Sequence, residues 1–347
     1  MERYLRLIIA IIIISIGLYS LNLSDLSTVT AFEHINQQEE NIQPFSDGKE
    51  IVKLSQIVSR TSETTITYGG TGSQSDPYII STANDMISLS ALVAGGNDFS
   101  GTYFKVVSSS STISLGNFIP IGSAANPFRG HFDGGFVTFD LAISRTTTNN
   151  QGLFGYLDSG SIKNLSVSGS VVGDVYTGAV VGYQNSGTIE NVYNLAYVEG
   201  LNYVGGISGY VISGTIQNSY NAGNIKARTS YAGGIAGRIQ GTSTAKIYIT
   251  NTYNSGEILT PTYAGGLVGY ILGTSTNRFS EISYSYSSGL VSGNSNVGGI
   301  AGYYVVSANT RTHVYYDMSV ISQYDQPYTL KPAFVTDAHG LKTDSFI

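Results

Sequence analysis

The stretch NSYNAGNIKARTSYAGGIAGR, residues 218–238, contains the element that decides the fold. It places Gly-Gly, one aliphatic residue and a third Gly close together. Two explanations compete for such a cluster. A phosphate loop occurs once, between a strand and a helix, with a Lys or an acidic partner at a set distance. A repeat unit instead needs Gly at the same corner each time around.

The Gly-rich element occurs six times, which favours the repeat. The copies are QGLFGY at 151, GAVVGY at 178, GGISGY at 205, GGIAGR at 233, GGLVGY at 265 and GGIAGY at 298. Their final glycines are spaced by 27, 27, 28, 32 and 33 residues. No helical pattern follows any copy, which argues against a phosphate loop. The glycines are predicted to be corner residues, which either take a positive φ or let neighbouring backbones approach closely.

Other columns repeat with the same period. An asparagine column comprises Asn164, Asn191, Asn218 and Asn251, and it is predicted to form an amide ladder or a surface contact. Two aliphatic columns are predicted to be core: Val171, Val198, Ile225, Ile258 and Val291, and Val180, Ile207, Ile235, Leu267 and Ile300. Each period holds three short segments and no helical periodicity. The sequence therefore predicts an all-β, right-handed parallel β-solenoid with coils of 27–33 residues, stacked about 4.8 Å apart, and with capped ends.

Tyrosine is abundant, with 26 copies and no Trp. One column comprises Tyr176, Tyr203, Tyr231 and Tyr263, and a second comprises Tyr156, Tyr183, Tyr210, Tyr270 and Tyr303. An outward column would make an aromatic ladder suited to carbohydrate or protein contact. An inward column would be core or corner packing, and the sequence leaves both open.

The two longer spacings arise from insertions at one corner, GTSTAKIY at 241–248 and GTSTNRFSE at 273–281. Stacked insertions make a protruding face, where solenoids often carry binding loops. Tyr248, Arg278 and Phe279 are the predicted partner contacts.

The N-terminus predicts export. Arg3 and Arg6 precede an uncharged apolar run at 7–19, as in secretory signals. Extension of the run to 7–26 would instead make an uncleaved membrane anchor. The predicted organisation is a signal or anchor at 1–31, a polar linker at 32–67, an N-terminal β lead-in or cap at 68–151, the repeat solenoid at 152–304 and a C-terminal exit or cap at 305–347.

Composition disfavours several chemistries. Charged residues make up 12% of the chain and the net charge is −6 without a long basic run, so nucleic acid is not an expected partner. The chain has no Cys and its four His are isolated, so no metal site or cofactor is predicted. The acids of the repeats occupy different positions in their coils, and Asp133 is predicted to lie in an Asp-Gly turn. No catalytic residue is nominated.

With these motifs in view, the chain resembles the GLUG-motif repeat proteins of bacterial surfaces. The resemblance lies in the GGLVGY element and its partner segments SGTIENVY at 186 and SGTIQNSY at 213, and it extends over 68–317. Similar repeats flank the protease domain in some immunoglobulin A proteases. The resemblance implies a surface-exposed repeat architecture and carries no catalytic residue over to this chain.

Together these features predict a bacterial protein that is secreted or held at the cell surface and is not an enzyme. Its side surface would bind cells, matrix, or a cell-surface glycan or protein, in an adhesive role. It would contact the membrane only through 7–26, if that segment is uncleaved. The alternatives are a carbohydrate-active β-helix enzyme with an unrecognised carboxylate site and a structural spacer of a larger surface assembly.

Overall fold

The computed structural model describes residues 68–242, 244–273, 280–304, 309–317 and 338–341. The predicted signal or anchor and the linker lie outside these residues, as do Arg278 and Phe279. Within the described part, no helix has both the length and the apolar character needed to span a membrane.

The chain forms a nearly all-β parallel solenoid of about 8 turns with about 28 residues per turn, which confirms the predicted fold class. The first coils contain β1 (Tyr78–Ile80), α1 (Ala83–Ala94), β2 (Tyr103–Val106), β3 (Thr112–Gly116), β4 (His131–Ser144) and β5 (Phe154–Leu157). The next three coils contain β6 (Ser161–Val172), β7 (Val175–Gly178), β8 (Val181–Gln184), β9 (Thr188–Asn194), β10 (Tyr197–Gly205), β11 (Ser208–Val211), β12 (Gly214–Asn221), β13 (Ile225–Gly233) and β14 (Ala236–Gly241). The later coils contain β15 (Ile247–Asn254), β16 (Ile258–Leu259), β17 (Thr262–Gly265), β18 (Val268–Gly273), β19 (Ser280–Ser287), β20 (Val291–Ser292), β21 (Ser295–Gly298), β22 (Ala301–Tyr304), β23 (Asn309–Asp317) and β24 (Ala338–Leu341).

Strands pair from one coil to the next, and every ladder between the named strands is parallel. Strands β5, β8, β11, β14, β18 and β22, which carry the Gly-rich element, form one six-stranded sheet. The remaining strands form a second continuous sheet. This pairing stacks equivalent residues of successive repeats: Ile189, Ile216, Ile249 and Ile282 are direct register partners.

The aliphatic columns form the core, as predicted. Val198 pairs with Val171 on one side and Ile225 on the other, and Ile258 and Val291 continue the column. All members of both predicted columns are at most 4% exposed. Burial of these branched side chains in a continuous interior is the main stabilising term of such a fold.

The glycines of the repeated element take one of their two predicted roles, the close approach of neighbouring backbones. The left-handed backbone conformation falls on the asparagine column, where Asn164, Asn191, Asn218 and Asn251 have φ between 51° and 57°, and on the tyrosine column, where Tyr176, Tyr203, Tyr231 and Tyr263 have φ between 54° and 66°. The final glycines of the repeated element are not among the residues with positive φ. Gly237 is required because a Cβ there would lie 2.4 Å from the backbone C of Tyr203 and the N of Val204. Close approach of adjacent coils, not positive φ, therefore explains this glycine.

The lead-in also contains a helix that the β lead-in prediction did not include. Thr82 caps α1, accepting a hydrogen bond from the Asp85 N–H while the Asp85 carboxylate accepts from the Thr82 N–H. Met86, Leu89 and Val93 are fully buried and belong to the same core as the coils. The helix therefore buries its apolar face against the solenoid interior.

Asp133 does not lie in a hairpin turn. It lies within β4 beside a register shift, and Gly135 and Phe136 have φ of 58° and 60°. Its Oδ1 accepts hydrogen bonds from the Gly135 N–H at 3.1 Å and from Asn164 Nδ2 at 3.0 Å. The carboxylate thus stabilises a corner of the coil. The hand of the coil and the boundaries of the end segments stay predictions.

Candidate functional site

A stack of tyrosines runs along the outer side of the solenoid. Tyr193, Tyr220, Tyr253 and Tyr286 are register partners in β9, β12, β15 and β19. Consecutive rings lie 4.5, 4.7 and 5.1 Å apart, with interplanar angles of 24°, 10° and 4°. They point outward because each is preceded and followed by a buried residue in its strand. We call these four residues the tyrosine ladder.

Stacking covers the ring faces of the ladder, so the ring edges and hydroxyls are what it presents to solvent. Within the described part of the chain, the hydroxyls of Tyr193, Tyr220 and Tyr253 have no hydrogen-bond partner and are not enclosed. Burial raises the pKa of Tyr253, as do the neighbouring phenols, and burial raises the pKa of Tyr286. Tyr253 and Tyr286 therefore keep their protons at neutral pH, and their hydroxyls are able to donate and accept.

The repeat period aligns these four tyrosines, but it does not mark them as a candidate site. Of the two tyrosine columns weighed from the sequence, the one with Tyr183 lies in the six-stranded sheet and the one with Tyr176 lies in the other sheet, and their rings pack on each other. Tyr176 stacks on Tyr203 at 5.3 Å and meets Tyr183 edge-on at 5.2 Å. Neither column belongs to the aliphatic core. Of the two roles left open by the sequence, these contacts support corner packing for both columns. The strand position of the ladder, with buried residues on both sides, is the signal that could have found it.

Arg238 stands where the other repeats have the tyrosine that ends the Gly-rich element. Its guanidinium lies 5.2 Å from the ring centres of Tyr203 and Tyr210 and 5.5 Å from that of Tyr270. It also donates to the Tyr203 hydroxyl at 3.1 Å and to Gln240 Oε1 at 2.7 Å. These contacts fill the gap in the aromatic column by cation–π attraction and make Arg238 a packing residue.

The predicted asparagine ladder forms only in part. Asn191 donates to Asn164 and Asn251 donates to Asn218, both at 3.2 Å. Between them, Asn218 donates instead to Glu190 Oε1 at 3.3 Å. This column lies at the corner next to the tyrosine ladder.

The corner column ends in two aromatic residues. Tyr284 and His313 take the asparagine position with φ of 49° and 53°, and their rings stack at 4.9 Å. Tyr284 is 62% exposed. Together with Tyr286 and Tyr315 they line a shallow cleft of about 350 Å³ at the end of the ladder.

Of the three predicted contact residues, the structure describes Tyr248 alone. It lies in β15 between Thr215 and Glu281 in register and is 41% exposed. In the insertion before it, the Ala245 N–H donates to the Thr242 hydroxyl at 3.0 Å. Tyr248 is separated from Tyr253 of the ladder by the Asn251 corner. Its outward position fits the predicted contact role but does not test it.

The carboxylates whose pKa values are shifted, Asp98, Asp158 and Glu199, form ion pairs with basic side chains. Arg129 bridges Asp98 and Asp158, with Nη1 2.7 Å from Asp98 and Nη2 2.8 Å from Asp158. The Ser100 N–H and Arg129 lower the pKa of Asp98. Burial opposes ionisation of Asp158, but hydrogen bonds from Asn185, Ser186 and Arg129 hold its pKa below the usual value. Neither group is therefore a proton donor at neutral pH.

Glu199 shows the same pattern, with its carboxylate paired to two basic side chains. Burial opposes its ionisation, but the Tyr197 hydroxyl, Arg228 and Lys226 hold its pKa below the usual value. Among the described residues, no Asp or Glu with a resolved shift has a raised pKa, which a glycosidase acid requires. The described residues also contain no group of three or more His, Asp or Glu arranged to hold a metal ion.

Comparison with known proteins gives partial sequence matches. No protein-family model matches the chain. The chain is 35% identical over 127 residues to halomucin of Haloquadratum walsbyi, a match that covers 33% of this chain and 1% of halomucin. It is 32% identical over 108 residues to a "Putative Gly-rich membrane protein" of Evansella cellulosilytica, covering 30% of this chain and 12% of that protein. The chain therefore spans only a small part of the curated relatives it matches.

A solved structure shares the fold over most of the chain. The crystal structure of a "putative immunoglobulin A1 protease" from Bacteroides ovatus superposes with a TM-score of 0.60 and covers 80% of this chain and 87% of that chain. The sequence identity is 19%, so this similarity shows the fold alone. The chain thus shares the β-helix of that protein, and the GLUG-motif resemblance stays a prediction.

Proposed function

We propose that this chain is an exported, non-enzymatic repeat rod that binds a cell-surface glycan through the tyrosine ladder. The observation that carries the proposal is the row of phenol hydroxyls at a regular spacing, of which Tyr193, Tyr220 and Tyr253 lack a protein partner in the described part of the chain. Export rests on the basic and apolar N-terminal sequence. The membrane description of one relative supports a location at the cell boundary.

The spacing of the ladder favours a repeating ligand. One hydroxyl recurs with each coil, and neighbouring rings lie 4.5–5.1 Å apart. A polymer with hydroxyl groups at a similar repeat distance would pair with several rungs at once. Each contact would be weak, but several contacts to one polymer would raise the overall affinity, because the first contact holds the next hydroxyl group at a high effective concentration.

Catalysis is disfavoured by the state of the acids. General acid–base hydrolysis of a glycosidic bond needs two carboxylates about 5–10 Å apart, one of them protonated. In the described residues the two acids brought together, Asp98 and Asp158, are bridged by Arg129 and have lowered pKa values. An enzyme is the alternative, because the Bacteroides protein with the same fold is described as a "putative immunoglobulin A1 protease".

The test is a glycan-array measurement on the mature chain with a triple variant, Tyr193→Phe, Tyr220→Phe and Tyr253→Phe. These substitutions remove the three hydroxyls and retain the stacked rings. We expect at least a tenfold loss of apparent affinity for the glycans bound by the wild type, because several rungs contribute. Tyr183→Phe is the matched control, since Tyr183 lies on the other sheet, and it should bind as the wild type does.

Two results would contradict the proposal. One is a triple variant that binds every glycan as tightly as the wild type. The other is turnover of a polysaccharide or peptide by the purified chain that a single Asp or Glu substitution abolishes, which would identify an enzyme.

A further inference from the structure

A second cleft lies at the opposite end of the solenoid from the aromatic cleft of Tyr284. It has a volume of about 370 Å³ and is lined by Tyr103, Lys105, His131, Asp133, Ser161 and Lys163, among others. Two register columns build it. Tyr103, His131 and Ser161 are direct partners in β2, β4 and β6, and Lys105, Asp133 and Lys163 are partners two residues further along the same strands. An aromatic column and a charged column therefore lie side by side on one outward face.

The aromatic column is short and open at one end. The ring of Tyr103 stacks on that of His131 at 4.4 Å with an interplanar angle of 21°. Ser161, next in register, has no ring to continue the stack. Its hydroxyl lies 2.9 Å from His131 Nδ1 and fixes the imidazole in place. The face of His131 on the Ser161 side is thus left without an aromatic cover.

The imidazole in this cleft is neutral at physiological pH. Burial lowers the pKa of His131, and the charge of Lys163 lowers it further. A neutral, fixed ring is suited to packing against the apolar face of a pyranose ring, as aromatic side chains in carbohydrate sites do.

The charged column carries an excess of positive charge. Asp133 is committed within the protein: its Oδ2 lies 3.6 Å from Lys163 Nζ, and its Oδ1 accepts from the Gly135 N–H and from Asn164 Nδ2. Lys105 is exposed, and its ammonium has no ion-pair or hydrogen-bond partner in the described part of the chain. Two lysines against one aspartate leave the cleft net positive, although the chain as a whole has a charge of −6.

From this geometry we propose that the cleft binds a sugar that bears a carboxylate. The pyranose ring packs on the open face of His131, and the carboxylate pairs with the unpartnered ammonium of Lys105. The Lys163 ammonium donates hydrogen bonds to the ring hydroxyls, while Asp133 stays bound within the protein. This site is distinct from the tyrosine ladder and does not rest on the proposed function.

The test uses isothermal titration calorimetry of the full chain with tetragalacturonate and, as a matched ligand, its fully methyl-esterified form. The ester keeps the sugar rings and removes the charges. We expect the acid to bind at least tenfold more tightly than the ester. Lys105→Gln should abolish that preference, and Tyr103→Ala should weaken binding of the acid by removing support for the His131 ring. Equal affinity for the acid and the ester, or an unchanged preference in Lys105→Gln, would overturn the proposal.

Two further variants separate a specific site from general electrostatics and from the ladder. Asp133→Asn keeps an oxygen for the Gly135 N–H and removes the only negative charge of the charged column in the cleft, so it should strengthen binding of the acid severalfold. Lys246→Gln removes an exposed lysine elsewhere and should leave the affinity unchanged; an equal loss there would show non-specific attraction and overturn the site. The triple ladder variant should still bind tetragalacturonate, so failure of the proposed function and failure of this site are distinguishable.

Discussion

Asn194 and Asn221 are joined inside the solenoid by an amide hydrogen bond of 2.6 Å from Asn194 Nδ2 to Asn221 Oδ1. Asn221 Nδ2 continues the ladder to Asn254 Oδ1 at 2.7 Å and also donates to the Gly223 carbonyl at 2.8 Å. All three asparagines are fully buried. The ladder therefore satisfies amide groups whose burial would otherwise be costly, and it locks the register of neighbouring coils.

We expect Asn221→Ala to lower the free energy of unfolding by about 2–3 kcal/mol, because it removes a rung that bonds to both neighbours and leaves a small cavity. Urea denaturation followed by circular dichroism measures the change. The matched control is Asn218→Gly. Asn218 is exposed and has a φ of 52°, which glycine adopts without strain, so this variant should lose under about 1 kcal/mol. An equal loss in both variants would contradict a special role for the buried ladder.

Gly237→Ala tests the close approach of adjacent coils. An added Cβ would meet two backbone atoms of the Tyr203–Val204 peptide at 2.4 Å, and backbone cannot move aside as a flexible side chain can. We expect a loss of at least about 2 kcal/mol in the free energy of unfolding. Gly95→Ala is the control, because the nearest atoms to a Cβ there are at 3.4 Å and φ is −75°. A Gly237→Ala variant as stable as Gly95→Ala would show that the coils can separate at this corner.

The architecture could be predicted from the sequence, because stacking pairs each residue with the equivalent residue of the next repeat. The aliphatic columns and the parallel register follow from the period alone. The roles of the corner residues do not follow from the period, because a glycine is favoured both where φ is positive and where two backbones approach closely. The structure assigns close approach to Gly237 and gives the left-handed conformation to Asn191 and Tyr203. The period also does not show which columns face the interior. The asparagine ladder was predicted at the column of Asn218, but the buried ladder runs through Asn221, three residues later.

The candidate site was less predictable than the fold. Tyr193 and its partners could be aligned, but their exposed hydroxyls depend on which strand face is outward. The cleft at Lys105 joins residues from three successive coils in the lead-in, where no repeat motif reveals the register. The helix α1 was missed because its apolar residues Met86, Leu89 and Val93 fall in a single short segment outside the repeats.

Tyr197 makes the free energy of unfolding depend on pH in the alkaline range. Burial and the hydrogen bond to Glu199 raise the pKa of Tyr197 to about 12. Because this pKa lies above the value of about 10 in the unfolded chain, the stabilisation from Tyr197 is complete below pH of about 10 and is lost as the pH rises towards 12. We expect the difference in free energy of unfolding between wild type and Tyr197→Phe to be constant from about pH 7 to 9 and to shrink above about pH 10. Urea denaturation across this range measures it, and a difference that grows with pH would contradict the assignment.

We expect α1 to cap the N-terminal end of the solenoid. An open coil end exposes unpaired backbone groups and apolar core, which recruit other chains. Met86 and Leu89 are fully buried in the core that α1 covers. We expect the double substitution Met86→Glu and Leu89→Glu to expel the helix and cause concentration-dependent association, which light scattering coupled to size-exclusion chromatography would detect. Ile87→Glu is the matched control on the same helix, since Ile87 is 50% exposed and should tolerate the charge. A double variant that stays monomeric with an unchanged unfolding transition would show that α1 is not needed to close this end.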